Sequence, residues 1–314
     1  MATSTPIVVQ TEIEPPAKTE PTHNGSTAAP PYLRPDAPDH GRLVTKAEYW
    51  TTYYEHPDAS YEWNGGYLEA KPMPNPLQYR LFLWFVTLLK EYVEVHNNGL
   101  LMGLETGFTM TVPNLKLPGQ LKETVRKPDV AFVRDDNPTV WGLDERSYGG
   151  ICDLCVEVIS DSHQVEIDRD TKIKKVEYEF AGVKEYYILD EEHRYTKFYQ
   201  RNRAGKYVEI EPDQEGIIHS AVLPGFQFRQ RDMLTKPPLE KLALDPAYQG
   251  YVLLAYQAAL VNVETQRHRA EVEQRRADTE QRRADAERER ANALNVELQQ
   301  ALAELARLRG GGEN

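Results

Sequence analysis

Cysteine is nearly absent. The chain has only Cys152 and Cys155, too few for a disulfide framework and consistent with a reducing compartment. Long apolar runs are missing as well, since none approaches the roughly 18 residues needed to span a bilayer. The opening MATSTPIVVQTEIEPP lacks the basic start and apolar core of a secretory signal. These absences predict a soluble, cytoplasmic protein with no membrane partner. Basic charge is also scarce: 37 Lys and Arg against 49 Asp and Glu give a net charge of -12. That argues against a non-specific nucleic-acid coat protein, which would present a basic face. It leaves room for a nuclease, because a local basic groove or bound cations can offset charge at one site. The eight histidines contain no H-x-x-x-H pair, and neither G-x-G-x-x-G nor a P-loop occurs. No nucleotide cofactor is therefore indicated. The single C-x-x-C, read as part of a strand, sets its cysteines on opposite faces and lacks the second pair that a zinc site wants.

What is present falls into segments. For 314 residues a hydrophobic fraction of 40% and a mean hydropathy of -0.63 are low, which implies polar segments outside the core. Residues 1–40 are rich in Pro, Thr, Ala and Ser without apolar period, and read as a disordered tail. Residues 41–245 hold nearly all the strand signals. Residues 246–309 form one long helical pattern, and 310–314 a flexible end.

Within the middle segment, TKAEYWTTYYEH reads as a short helix capped by Thr45, with Glu48 three residues on. YEWNGGYLEAKP reads as a strand pair turning at Asn64-Gly65. PLQYRLFLWFVTLLKEYVEVH is the strongest helix here, with Pro76 in its first turn. Strand-like runs follow at GLETGFTMTV, KPDVAFV, DLCVEVI, KEYYILD, RYTKFYQ and KYVEIEP. A helix, RDTKIKKVEYEFAGV, precedes KEYYILD and stops at Gly182. Helix, three strands, helix, strand and then a β-meander make a mixed α/β or α+β domain, not an alternating nucleotide-binding one.

Two of these apolar runs carry an acid, Asp129 in RKPDVAFV and Glu157 in CVEVIS. Side chains alternate along a strand, so Glu157 points away from the face of Val156 and Val158. Two carboxylates converging at a sheet edge repel unless a cation lies between them or one is protonated. Mg²⁺, with its preference for hard oxygen ligands and phosphate, is the natural occupant. The alternative is that both acids sit at strand ends in water.

The ordered set YEWNGGYLEA, RKPDVAFV, CVEVIS, DTKIKKVEYEFAGVKEYYILD and LPGF resembles the PD-(D/E)XK nuclease superfamily, and more specifically its putative restriction endonuclease family. The likeness runs from about Tyr61 to Leu234. It implies a restriction-endonuclease-like core of mixed β-sheet flanked by helices, and a metal-dependent endonuclease acting on DNA. It further implies Asp129 and Glu157 as ligands of Mg²⁺ (Mn²⁺ substituting), with the Val158 carbonyl as a third. Glu62 matches a family glutamate and is either a further ligand or a packing anchor. One position departs from the pattern, because Ile159 stands where the catalytic lysine belongs. The following helix offers Lys172, Lys174 and Lys175. Lys174 is the best candidate, since Asp170, Lys174, Tyr178 and Gly182 recur every four residues along one helix face; the alternative is a surface lysine paired with Asp170. Where many relatives have a histidine before the first long helix, this chain has NPLQY, with Gln78.

In the last segment Ala277, Ala284, Ala291, Leu298 and Leu305 share one heptad position. Leu294, Ala301 and Leu308 fill the companion position near the end, but Glu280 and Glu287 occupy it earlier. A homodimeric coiled coil is one reading, and a solvated helix held by its Glu/Arg pairs the other. The acidic charge, displaced lysine and long helix also admit a non-catalytic interaction protein on a nuclease-like fold.

Overall fold

The computed structural model describes residues 37–103, 105–160 and 163–310. The Pro/Thr-rich stretch therefore lies outside the described residues up to position 36, as do residues 311–314. The short first helix starts as expected: Thr45 Oγ1 accepts the Glu48 amide, and α1 (Lys46–Glu48) runs on into a π-helical turn, Tyr49–Tyr53. Strands β1 (Tyr61–Asn64) and β2 (Tyr67–Ala70) pair antiparallel with Asn64 opposite Tyr67. The turn is thus Gly65-Gly66, one residue later than Asn64-Gly65. Both glycines have positive φ, 57° and 105°, a conformation that costs them no Cβ clash.

Helix α2 (Pro76–His96) opens with a capping box: Asn75 accepts the Leu77 and Gln78 amides, and Gln78 reaches back to the Asn75 amide. Gln78 is thus a helix cap at the place where the sequence comparison leaves a histidine missing. The buried residues Leu81, Phe85, Leu88, Leu89 and Tyr92 form one stripe. That stripe packs on Val130 and Phe132 of β6 (Val130–Arg134), Leu154 and Val156 of β8 (Leu154–Val158), and Tyr187 and Leu189 of β9 (Glu185–Leu189). Burial of each such side chain is worth roughly 1.5–3 kcal/mol.

These strands belong to a six-stranded mixed sheet, with β10 (Lys197–Arg201) and β11 (Tyr207–Glu209) at one edge and β3 (Gly99–Gly103) at the other. β8 and β9 run parallel, joined by a helical crossover of α3 (Gln164–Asp168), a π-helical segment Arg169–Lys174 and α4 (Lys175–Ala181). Gly182 ends the crossover in a left-handed C-cap, as its composition predicts. A second sheet holds β2, β1, β5 (Leu121–Arg126), β4 (Gly107–Pro113) and the short β7 (Ser147–Tyr148). Period-two alternation sends Ala131, Val133, Cys155, Tyr186 and Ile188 to the other face of the six-stranded sheet, against Phe108, Met110 and Val112 of β4 and Tyr178 of α4. Glu157 emerges into this layer.

Two boundaries differ from the sequence reading. KPDVAFV is not one strand: β5 ends at Arg126 and β6 begins at Val130, leaving Asp129 in the bend between. Pro128 has no N–H to give a ladder, which accounts for the break. The core also continues past 245. A pair β12 (Ile217–His219) and β13 (Gln227–Arg229), then α5 (Asp232–Thr235) and α6 (Leu239–Leu242), lead to Tyr248, Tyr251 and Val252, which are buried against α2 and its neighbours. The long helix α7 starts only at Leu254 and runs to Gly310.

Candidate active site

Asp129 and Glu157 reach one place because β6 and β8 are antiparallel neighbours, with Val130 opposite Val156. The Val158 amide donates to Asp129 Oδ2 at 2.8 Å, tying the bend to the end of β8. Lys174 enters from the crossover. Its ammonium lies 3.0 Å from Glu157 Oε1, 3.2 Å from Asp170 Oδ1 and 3.3 Å from Glu62 Oε1, with the lysine 1% exposed. One turn on, the Tyr178 hydroxyl donates to the same Glu157 Oε1 at 2.8 Å. The four-residue stripe therefore faces the acids, and Lys174 is both the inward lysine and the partner of Asp170. The other two lysines look elsewhere: Lys172 pairs with Asp168 at the surface, and Lys175 lies over the Tyr199 ring.

Glu62 is fully buried and saturated. Its Oε1 takes the Lys127 amide at 2.9 Å besides Lys174, and its Oε2 takes Arg126 Nη1 at 3.0 Å. Arg126 in turn holds Glu69 at 2.5 Å and Glu177 at 2.7 Å, and Lys122 also meets Glu177, at 3.0 Å. Such an arrangement fixes β1, β2 and β5 to α4.

The sequence reading missed Lys71. It lies just beyond β2 and donates to Asp129 Oδ1 at 2.9 Å and to the Lys127 carbonyl at 2.6 Å. Its signal was faint: Glu69 and Lys71 are charged at alternate positions of a run whose other members, Leu68 and Ala70, are buried. The two thiols were also placed wrongly. Cys152 lies ahead of β8, so strand alternation does not separate it from Cys155; both are buried in one layer, and burial, with the neighbouring Cys152, pushes the Cys155 thiol up.

The linked acids Glu62, Glu69, Asp129, Glu157, Asp170 and Glu177 are six, against five cations, Lys71, Lys122, Arg126, Arg169 and Lys174. The surplus falls on Glu157. Burial pushes its carboxyl up to about 8 against the pull of Lys174, and Asp129 and Asp170 add to the rise. Burial works the same way on Glu62, but Lys174, Arg126 and Arg169 hold that carboxyl well below the usual range. Lys174 is lifted above the ordinary lysine value: burial opposes, and Asp170, Glu157 and Glu62 prevail.

Among the described residues no group of three or more His, Cys, Asp or Glu stands ready-made to hold a metal, because lysines lie between the acids. The donor chemistry nonetheless suits a hard divalent cation. Three carboxylate oxygens lie within 3.3 Å of one ammonium, and the buried Asp170 Oδ1 meets Lys174 as an ion pair without a hydrogen bond. Added positive charge would oppose the upward push that burial and the neighbouring acids give the Glu157 carboxyl. Asp129, Glu157, Val158, Asp170, Lys71 and Lys174 all line one cavity of about 820 Å³.

A mixed sheet with two acids at the ends of its central strands β6 and β8, and a lysine meeting them from a helical crossover, is an arrangement of the α+β class. The family described as "Putative restriction endonuclease" (Uma2) matches residues 47–234, well over half of the chain, and the chain belongs to that family. Among solved structures, the chain is similar to a putative nuclease belonging to DUF820 from Anabaena variabilis ATCC 29413. The identity is 12% and the TM-score 0.45, over 62% of this chain and 98% of that one. No curated protein matches.

Proposed function

We propose that this chain is a metal-dependent endonuclease that hydrolyses DNA phosphodiester bonds. The observation that carries the reading is the convergence of Asp129, Glu157 and Lys174 on one cavity. Asp129 and Glu157 would hold Mg²⁺ or Mn²⁺, with the Val158 carbonyl beside them; the ion, when bound, would polarise a phosphate and acidify an attacking water. The chain's own groups do the rest. The Val158 amide fixes Asp129, and the Tyr178 hydroxyl orients Glu157. The Lys174 ammonium offers a buried positive charge for the water or for charge developing on phosphorus. Glu62, held by Arg126 and the Lys127 amide, serves as an anchor of Lys174.

The test is plasmid nicking. Wild type with Mg²⁺ or Mn²⁺ should relax supercoiled DNA, and Asp129→Ala should lose at least about a hundredfold in rate. No nicking by wild type, or equal nicking by the variant, rejects the reading.

We place the protein in the cytoplasm as a homodimer. Both cysteines are free and buried, and among the described residues no helix is long and apolar enough to cross a membrane. On α7, Leu294, Leu298 and Leu305 are more than half exposed, a stripe that a partner helix would cover. One observation favours a second reading, a non-catalytic scaffold: Lys71 and Lys174 already pair with Asp129 and Glu157 without a metal. Calorimetric titration with Mn²⁺ separates the two, since a folded sample that evolves no heat is a scaffold.

A further inference from the structure

The cavity carries a feature the acids and lysines do not use. Tyr79 and Phe82, three residues apart on the first turns of α2, stack on each other with ring centroids 6.0 Å apart and planes 23° from parallel. Both line the same cavity as Asp129, Glu157 and Lys174. Phe82 packs partly on the core, whereas Tyr79 is 47% exposed and belongs to no core cluster. Met73, 77% exposed, flanks them along the extended segment that enters the helix. The Asn75–Gln78 capping box and Pro76 fix that first turn, so the aromatic pair is a rigid platform.

We infer that this platform stacks one unpaired nucleobase, and that the substrate is single-stranded or locally unpaired DNA. This deepens the nuclease reading and rests on it. An exposed aromatic face beside a phosphate-cutting site is complementary to the π-face of any base. In a duplex those faces are covered by neighbouring base pairs, so a base reaches Tyr79 only when unstacked. Cavity size agrees, because about 820 Å³ suits a nucleotide or two and not a duplex laid across a groove. Charge agrees too. Glu55, Asp58 and Glu105 share the wall with Lys71, Arg146, Arg169 and Lys174, so cations for a phosphate are present but mixed with acids. A net charge of -12 is then compatible with a DNA substrate.

The experiment uses full-length protein without divalent metal and a 12-nucleotide single strand carrying 2-aminopurine, compared with the same sequence closed into a blunt hairpin. The single strand should bind at least about tenfold more tightly than the hairpin, with 2-aminopurine fluorescence quenched by stacking. Tyr79→Ala should weaken single-strand binding about tenfold and remove the quenching at unchanged Tm, while Tyr79→Phe keeps both. Equal affinity for strand and hairpin, no saturable binding of either, or a Tyr79→Ala protein that quenches like wild type overturns the inference. Cleavage is scored separately with Mn²⁺. Quenching without any cleavage removes the nuclease reading and leaves the binding site. Nicking of duplex plasmid at the same rate by wild type and Tyr79→Ala does the reverse.

Discussion

Lys71 and Asp129, 58 positions apart in the chain, hold each other at 2.9 Å, with side chains only 10% and 15% exposed. Any cation that binds Asp129 must share it with this ammonium or displace it. A charge-assisted hydrogen bond of this kind is worth roughly 1.5–3 kcal/mol. Lys71→Met should therefore tighten Mn²⁺ binding by about tenfold in calorimetry. Unchanged or weaker binding would mean that Lys71 does not guard Asp129.

Lys174 is buried among three carboxylates. Lys174→Ala removes the one ammonium all three share and should cost about 3–5 kcal/mol of stability in urea unfolding. Adding Glu157→Gln removes the carboxyl nearest that ammonium, so the double variant should cost less than the sum of the two single variants. A double-variant cost equal to the sum of the two single costs would argue that the two residues are not coupled.

The raised Glu157 carboxyl sets a pH dependence. Its usual value is 4.5 and its folded value about 8, so between these the folded state binds a proton that the unfolded chain has released. The stability it contributes is fully present below about pH 4.5 and declines as pH rises to about 8, by at most about 1.4 kcal/mol per pH unit. Glu69 acts oppositely: held at about 2 against burial by Arg126 and Arg169, its contribution is lost as pH falls from 4.5 towards 2. Glu157→Gln should flatten the decline between pH 5 and 8 and leave the acid limb intact, as read by the urea midpoint across pH. A variant profile that falls as steeply as wild type across that window would count against a protonated Glu157.

On α7, Leu298→Glu with Leu305→Glu should turn a dimer into a monomer in light scattering at micromolar concentration, with the domain still folded. A dimer that survives both substitutions would locate the interface on the globular domain. A wild type that is already monomeric leaves the helix without a self-partner.

The sequence made the acids and Lys174 legible because each sits in a periodic context: Glu157 interrupts an apolar strand, and Lys174 falls on a four-residue helix stripe. Lys71 sits in no such pattern. It reaches Asp129 only because β2 pairs with β1, β1 with β5, and β5 leads into the bend at Lys127. That is a tertiary path, of which the alternating charges Glu69 and Lys71 are the one faint local trace. Helix starts at Thr45 and Pro76 and the stop at Gly182 were readable because capping chemistry is local. The start of α7 was not, since the helical composition extends upstream of Leu254 while the burial of Tyr248 and Tyr251 depends on contacts with distant segments. The two cysteines were misplaced for a related reason: the strand that would have separated them begins between them, at Leu154.

The π-helical segment Arg169–Lys174 makes the site a matter of phase. Asp170 and Lys174 lie within it and Tyr178 one turn beyond, and Lys174 and Tyr178 converge on a single oxygen of Glu157. Deleting one residue between them rotates everything downstream by about 100° relative to everything upstream, so either the lysine or the tyrosine is turned off the acid. A side-chain exchange at Thr171 or Lys172 leaves that phase untouched. The crossover should therefore tolerate changes of spelling far better than changes of length, with its residue count fixed as tightly as any identity within it.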